Sequence, residues 1–170
     1  MSLGLRVHFD RQRSTTLDRW RASISKLDYP LVLPDSLDPA DTNGYLDCSY
    51  NGQETAIAID LNKECELPSP FSEEVDRVTM EFTVNTLHGE RAWFAAVAAA
   101  ASLCVVTGGV IEDDDCARFT SRRARSWANS ILNAEDAMAR AATQYPHPDS
   151  EPVAAVKGPP ESWWKWWRRT

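Results

Sequence analysis

The chain has 170 residues, of which 43% are hydrophobic and 25% are charged, values typical of one folded domain rather than of a disordered chain. Its net charge is −7 and unevenly spread: residues 1–27 carry six basic and two acidic side chains, residues 28–115 three and eighteen, and residues 116–170 nine and five. Such an acidic middle argues against nucleic-acid binding and favours a basic protein partner.

The first strand is predicted over residues 3–9, where apolar side chains alternate with Gly4, Arg6 and His8. A helix should follow, with Thr15 or Thr16 as its N-cap, and should end before Pro30. Residues 34–44 are rich in proline and aspartate and predict a loop.

A hairpin is predicted around Asn51-Gly52, between strands 45–50 and 54–61, because both turn residues tolerate a positive φ. In the second strand, Ala56, Ala58 and Asp60 lie on the face opposite three large apolar side chains. After a loop, residues 78–84 alternate again, with Thr79, Glu81 and Thr83 on the polar side. The alternation predicts that the strands at 54–61 and 78–84 are half-buried.

A helix from residue 88 to about 104 is alanine-rich and apolar on every side from Ala92 onward, which indicates a buried helix. Thr107-Gly108-Gly109 suits the end of a helix, and a short strand at 110–111 completes a β-α-β unit. A last helix is predicted over residues 120–145. We therefore expect an α+β fold: a mixed sheet of about five strands in ferredoxin-like order, helices on one face, and a C-terminal helix.

Three parts of the chain are predicted: one domain over residues 1–145, a proline-rich linker over 146–162, and a tail rich in tryptophan and arginine over 163–170. The apolar run at 92–106 is shorter than the roughly 20 residues that cross a bilayer. The N-terminus lacks the apolar stretch of a signal peptide. These features predict a cytoplasmic protein.

The sharpest chemical feature is the acidic run Glu112, Asp113, Asp114 and Asp115. Three interpretations stay open: a site for a hard cation, an edge that faces a partner, and a solvated turn. Neighbouring strand residues point to opposite faces, so four in a row do not converge on one ion within a strand. With Glu73 and Glu74, this run is the predicted partner-binding surface.

No catalytic residue, metal site or cofactor is predicted. The three histidines accompany no nucleophile motif, the four cysteines form no C-x-x-C pair, and Thr107-Gly108-Gly109 lacks the lysine of a phosphate-binding loop. A small carboxylate-dependent metal hydrolase is the alternative from another class.

The tail concentrates four indoles in five positions, Trp163, Trp164, Trp166 and Trp167, beside basic side chains. Each ring can bury on the order of 200 Å². Three docking sites are consistent with this composition: the chain's own domain, a partner or a second copy in a homodimer, and a membrane interface. In the last case the protein would be an adaptor.

Residues 90–115 resemble a segment of small uncharacterised bacterial proteins, some of which are immunity proteins encoded beside toxins. The likeness rests on the alanine-rich helix, then Thr107-Gly108-Gly109-Val110-Ile111, then Glu112 and Asp113. The resemblance implies a non-enzymatic inhibitor that neutralises a cognate, basic toxin through an acidic surface. It carries no catalytic residues.

Overall fold

A computed structural model describes residues 2–40, 43–62, 77–85 and 89–144. These residues form seven strands and three helices, which confirms the α+β class. The strands are β1 Ser2–Asp10, β2 Leu31–Val32, β3 Asn43–Tyr50, β4 Gln53–Asn62, β5 Arg77–Asn85, β6 Val110–Asp113 and β7 Arg118–Thr120. The helices are α1 Leu17–Leu27, α2 Gly89–Thr107 and α3 Ser121–Gln144.

The seven strands form one sheet in the order β2-β3-β4-β5-β1-β6-β7, and every neighbouring pair is antiparallel. The prediction of a mixed sheet of about five strands is therefore wrong in both respects. The crossover from β5 through α2 to β6 is a β-α-β unit, but β1 lies between its two strands. The parallel strands are therefore never adjacent.

One face of the sheet and the helices enclose the core. The inward side chains of the two central strands, among them Leu5, Val7, Met80 and Phe82, are fully buried. Along α2 nearly every side chain from Ala92 to Cys104 is buried, because the helix packs against β1, β3, β4, β5 and β6 on one side and against α1 on another.

Trp20 joins α1 to this core. Its indole Nε1 donates to the backbone oxygen of Ala99 at 3.2 Å and to Ser102 Oγ at 2.9 Å, and its ring meets Phe82 edge-on with centroids 6.2 Å apart. The helix begins after Thr16, whose side chain accepts from Arg19 N at 3.4 Å. Thr16 is therefore the cap, one of the two predicted.

By length and composition, α2 is the one helix among the described residues that could cross a membrane. Two thirds of its apolar window is buried inside the fold (67%). The buried core helix of a soluble protein can have the same length and composition.

Two compact units divide the chain, residues 1–133 and residues 134–170. Within the first unit, Ala124, Ala128 and Leu132 of α3 are buried, and Trp127 stacks on Phe119 with ring centroids 5.1 Å apart. The described part of the second unit is the end of α3, to Gln144. The predicted linker and the tail lie outside the described residues.

Candidate functional site

The face of the sheet opposite the core is polar, and we call it the open face. Strand register places five charged residues of five strands in one row across it. Asp60 lies opposite Glu81, Glu81 opposite Arg6, Arg6 opposite Glu112, and Glu112 opposite Arg118. Side chains directly opposite one another are close enough to interact, so this row is a continuous line of charge.

Glu112 anchors the row. Its side chain is only 5% exposed, and Arg118 Nε donates to its Oε2 at 2.7 Å. Arg6 Nη1 lies 3.9 Å from Glu112 Oε1, while Arg6 Nη2 donates to Glu81 Oε1 at 3.2 Å. Two guanidinium groups therefore compensate the buried carboxylate, as a buried charge requires.

His8 occupies the next row. Its Nδ1 lies 2.9 Å from Thr79 Oγ1, and its Nε2 lies 4.0 Å from Glu112 Oε2. The ring is only 14% exposed. The imidazole therefore belongs to the same polar cluster as Glu112, which β1 and β6 bring together from distant parts of the sequence.

The remaining carboxylates of the acidic run shape the connection between β6 and β7. Asp113 Oδ1 accepts from Asp115 N at 3.1 Å and from Ala117 N at 2.8 Å, as a turn-forming aspartate does. Burial raises the pKa of the Asp113 carboxyl, an effect that the hydrogen bond from Ala117 partly offsets. Asp114 Oδ2 accepts from Gly4 N at 2.8 Å.

The predicted partner-binding residues therefore lie in different settings. Glu112 is buried and paired, Asp113 is half-buried within the turn, and Asp114 and Asp115 are exposed. Glu73, Glu74 and the four tail tryptophans, Trp163, Trp164, Trp166 and Trp167, lie outside the described residues.

Sequence reasoning missed a second set of carboxylates on the open face. Asp47, Glu54 and Asp60 are exposed and, within the described residues, take part in no ion pair. Together with Glu81 they form what we call the acidic face, which spans β3, β4 and β5. The signal was present in the sequence, since Asp60 and Glu81 are outward members of the alternating strands.

Two of the three described cysteines are poorly suited to act as nucleophiles. Burial raises the pKa of the Cys48 thiol to about 11 and that of the Cys104 thiol to about 12, so both remain protonated at neutral pH. Cys116 is exposed at the turn between β6 and β7. Among the residues that the structure describes, no three histidine, cysteine or carboxylate side chains are grouped to hold a metal ion.

Two cavities stand out in the described part of the chain. One of about 260 Å³ is lined mainly by apolar side chains, among them Phe9, Leu61, Met80 and Leu103. The other, of about 610 Å³, lies between α1 and β2. Neither contains His8 or Glu112.

Neither protein-family models nor curated proteins match the chain.

Proposed function

We propose that the protein is a non-enzymatic binding protein, an immunity protein or inhibitor that neutralises a basic toxin by contact with its acidic face. Asp47, Glu54, Asp60 and Glu81 would meet cationic side chains of that partner. Asp114 and Asp115, at the end of β6, would extend the contact.

The cross-strand pair Asp60 and Glu81 carries this proposal. Two carboxylates lie directly opposite each other at this position, an arrangement that costs a sheet stability, on the order of 0.2–1 kcal/mol. Arg6 compensates Glu81 at 3.2 Å, whereas Asp60 is exposed and takes part in no ion pair within the described residues. A cationic partner would relieve the repulsion on binding.

The arginines of the charge row neutralise carboxylates on one side of the open face and leave some of those on the other side unpaired within the described residues. Arg6 and Arg118 hold Glu112 in place and neutralise it, so Glu112 itself contributes little free negative charge. In the β3-β4-β5 half, Asp47, Glu54 and Asp60 are exposed and take part in no ion pair within the described residues. The partner should therefore dock over β3, β4 and β5.

The order of the four central strands supports a ferredoxin-like fold. The four strands lie in the order β4-β5-β1-β6. The connection from β1 to β4 contains α1, and the connection from β5 to β6 contains α2. Each connection passes over the one strand that lies between its two ends. This connectivity supports the ferredoxin-like order that we propose for the four central strands, with β2, β3 and β7 as additions. That fold alone implies no activity.

A cytoplasmic location and a homodimer remain part of the proposal. The buried setting of α2 fits a core helix, and an inhibitor made beside its toxin would act in the same compartment.

The proposal can be tested by capture of a partner on the immobilised full-length protein from lysate of the source organism. The double variant Asp47→Asn with Asp60→Asn should retain less of a cationic protein than the wild type. The control Asp18→Asn with Glu90→Gln changes the net charge equally, but at exposed positions in the first turns of α1 and α2. Equal retention by all three proteins would contradict the assigned surface.

A further inference from the structure

A groove of about 610 Å³ lies between α1 and β2, at the opposite edge of the sheet from β7. Ile24 and Asp28 line it from the helix side, and Leu31 and Leu33 line it from the strand side. The sheet ends at β2, so one side of this strand has no neighbouring strand within the described residues. The groove thus combines an edge strand, in which Leu31 is 5% and Val32 65% exposed, with a helix wall.

The register of β2 shows which backbone groups face outward. Asn51 N donates to Pro30 O at 2.8 Å, and Leu31 pairs with Tyr50. In an antiparallel pair, hydrogen-bonded and non-hydrogen-bonded positions alternate, so Val32 bonds to β3 while the N–H and C=O of Leu31 point away from it. Among the described residues, no hydrogen bond from a turn, loop or cap reaches these two groups of Leu31.

Arg21 closes one end of this edge. Its Nη2 donates to Leu33 O at 2.8 Å and to Asp35 Oδ1 at 2.6 Å. The arginine is therefore already neutralised, and Asp28 remains as an exposed carboxylate that lines the groove. Among the residues that line the groove, the one charge without a described ion pair is therefore that of Asp28.

We propose that this groove binds an extended peptide segment with a basic side chain, which adds to β2 as an eighth strand. Leu31 would exchange two backbone hydrogen bonds with the peptide, and the basic side chain would lie beside Asp28. Such strand addition is an established mode of peptide recognition, in which the backbone supplies affinity and side-chain pockets supply specificity. This surface is separate from the acidic face and does not rest on the proposed function.

Nuclear magnetic resonance of the full-length protein tests the proposal with two capped octapeptides, one alternating lysine and valine and one alternating glutamate and valine. The lysine peptide should shift the amide signals of Leu31 and Leu33 and slow the hydrogen exchange of the Leu31 amide. The glutamate peptide should do so less. Equal effects of the two peptides would overturn the basic preference, and an unchanged Leu31 amide would overturn the site.

Three variants sharpen the test. Asp28 has φ 60°, a conformation that asparagine tolerates, so Asp28→Asn should keep the fold and weaken the lysine peptide about threefold. Leu31→Pro removes the outward N–H, whereas Leu31→Ala keeps it, and only the proline variant should lose binding. Signal shifts confined to Asp47 and Asp60 would overturn this inference and leave the proposed function standing.

Discussion

At Gly109, beside the polar cluster, the backbone leaves no room for a side chain. A Cβ at this position would lie 2.5 Å from the backbone oxygen of His8, a distance that forces the backbone to move. We expect Gly109→Ala to lower the free energy of unfolding by about 1–3 kcal/mol. Urea denaturation measures the loss.

Gly4→Ala is the matched control, because its added Cβ would first meet a carboxylate oxygen of Asp114, at 3.1 Å. That side chain can shift, so this variant should lose less stability than Gly109→Ala. Equal losses would show that the close approach to His8 is not the cause.

The Asp113 carboxyl should make the stability of the fold depend on pH. Its pKa is raised in the folded protein, so the folded state holds this proton more tightly than the unfolded state does. The stability that protonated Asp113 contributes is present below the unfolded pKa, about 3.9, and is lost as the pH rises through the higher folded pKa.

Asp113→Asn should remove this loss, because the amide oxygen can still accept from Asp115 N and Ala117 N. Relative to the wild type, the variant should gain stability between about pH 3.5 and about pH 7. Urea denaturation at both pH values gives the comparison. A difference in unfolding free energy that stays constant with pH would contradict the assignment.

The hairpin between β3 and β4 is the element that sequence predicts best. Asn51 and Gly52 have φ values of 52° and 71°, as the turn chemistry required. Asn51→Ala should cost about 1 kcal/mol, because the left-handed region strains a residue with a Cβ, whereas Asn51→Gly should cost less. Thermal denaturation distinguishes the two, and an alanine variant as stable as the glycine variant would be contrary to this explanation.

The ion pair between Arg118 of β7 and Glu112 of β6 should stabilise the pairing of these two strands. Arg118→Ala should cost about 1–3 kcal/mol, because it leaves the buried Glu112 carboxylate with a weaker set of partners. Adding Glu112→Gln should recover part of that loss, since a neutral amide costs less to bury. A double variant no more stable than Arg118→Ala would argue against charge compensation as the role of Arg118.

Elements with a clear period could be predicted, and the two shortest strands could not. The alternation over residues 3–9 and 78–84 predicted β1 and β5, and the N-cap and Pro30 bounded α1. By contrast, β2 has two residues and β7 has three, too few to show a period of two. Both exist because a longer neighbour supplies their hydrogen bonds.

At the scale of the whole molecule, the charge row could not be predicted because register is not local. The outward positions of Arg6, Asp60 and Glu81 follow from alternation, but their neighbours depend on where β1 enters the sheet. Once β1 lies between β5 and β6, Arg6 is shared by Glu81 and Glu112. The crossover therefore decides which carboxylates are neutralised and which remain available.

The most direct test of the acidic face is the association rate of the captured partner, measured at about 20 mM and about 200 mM salt. We expect Asp47→Asn with Asp60→Asn to slow association severalfold at the lower salt concentration and to flatten its salt dependence. Asp18→Asn with Glu90→Gln should change both much less. If the two double variants alter the rate equally, only net charge matters, and the acidic face is not the binding surface.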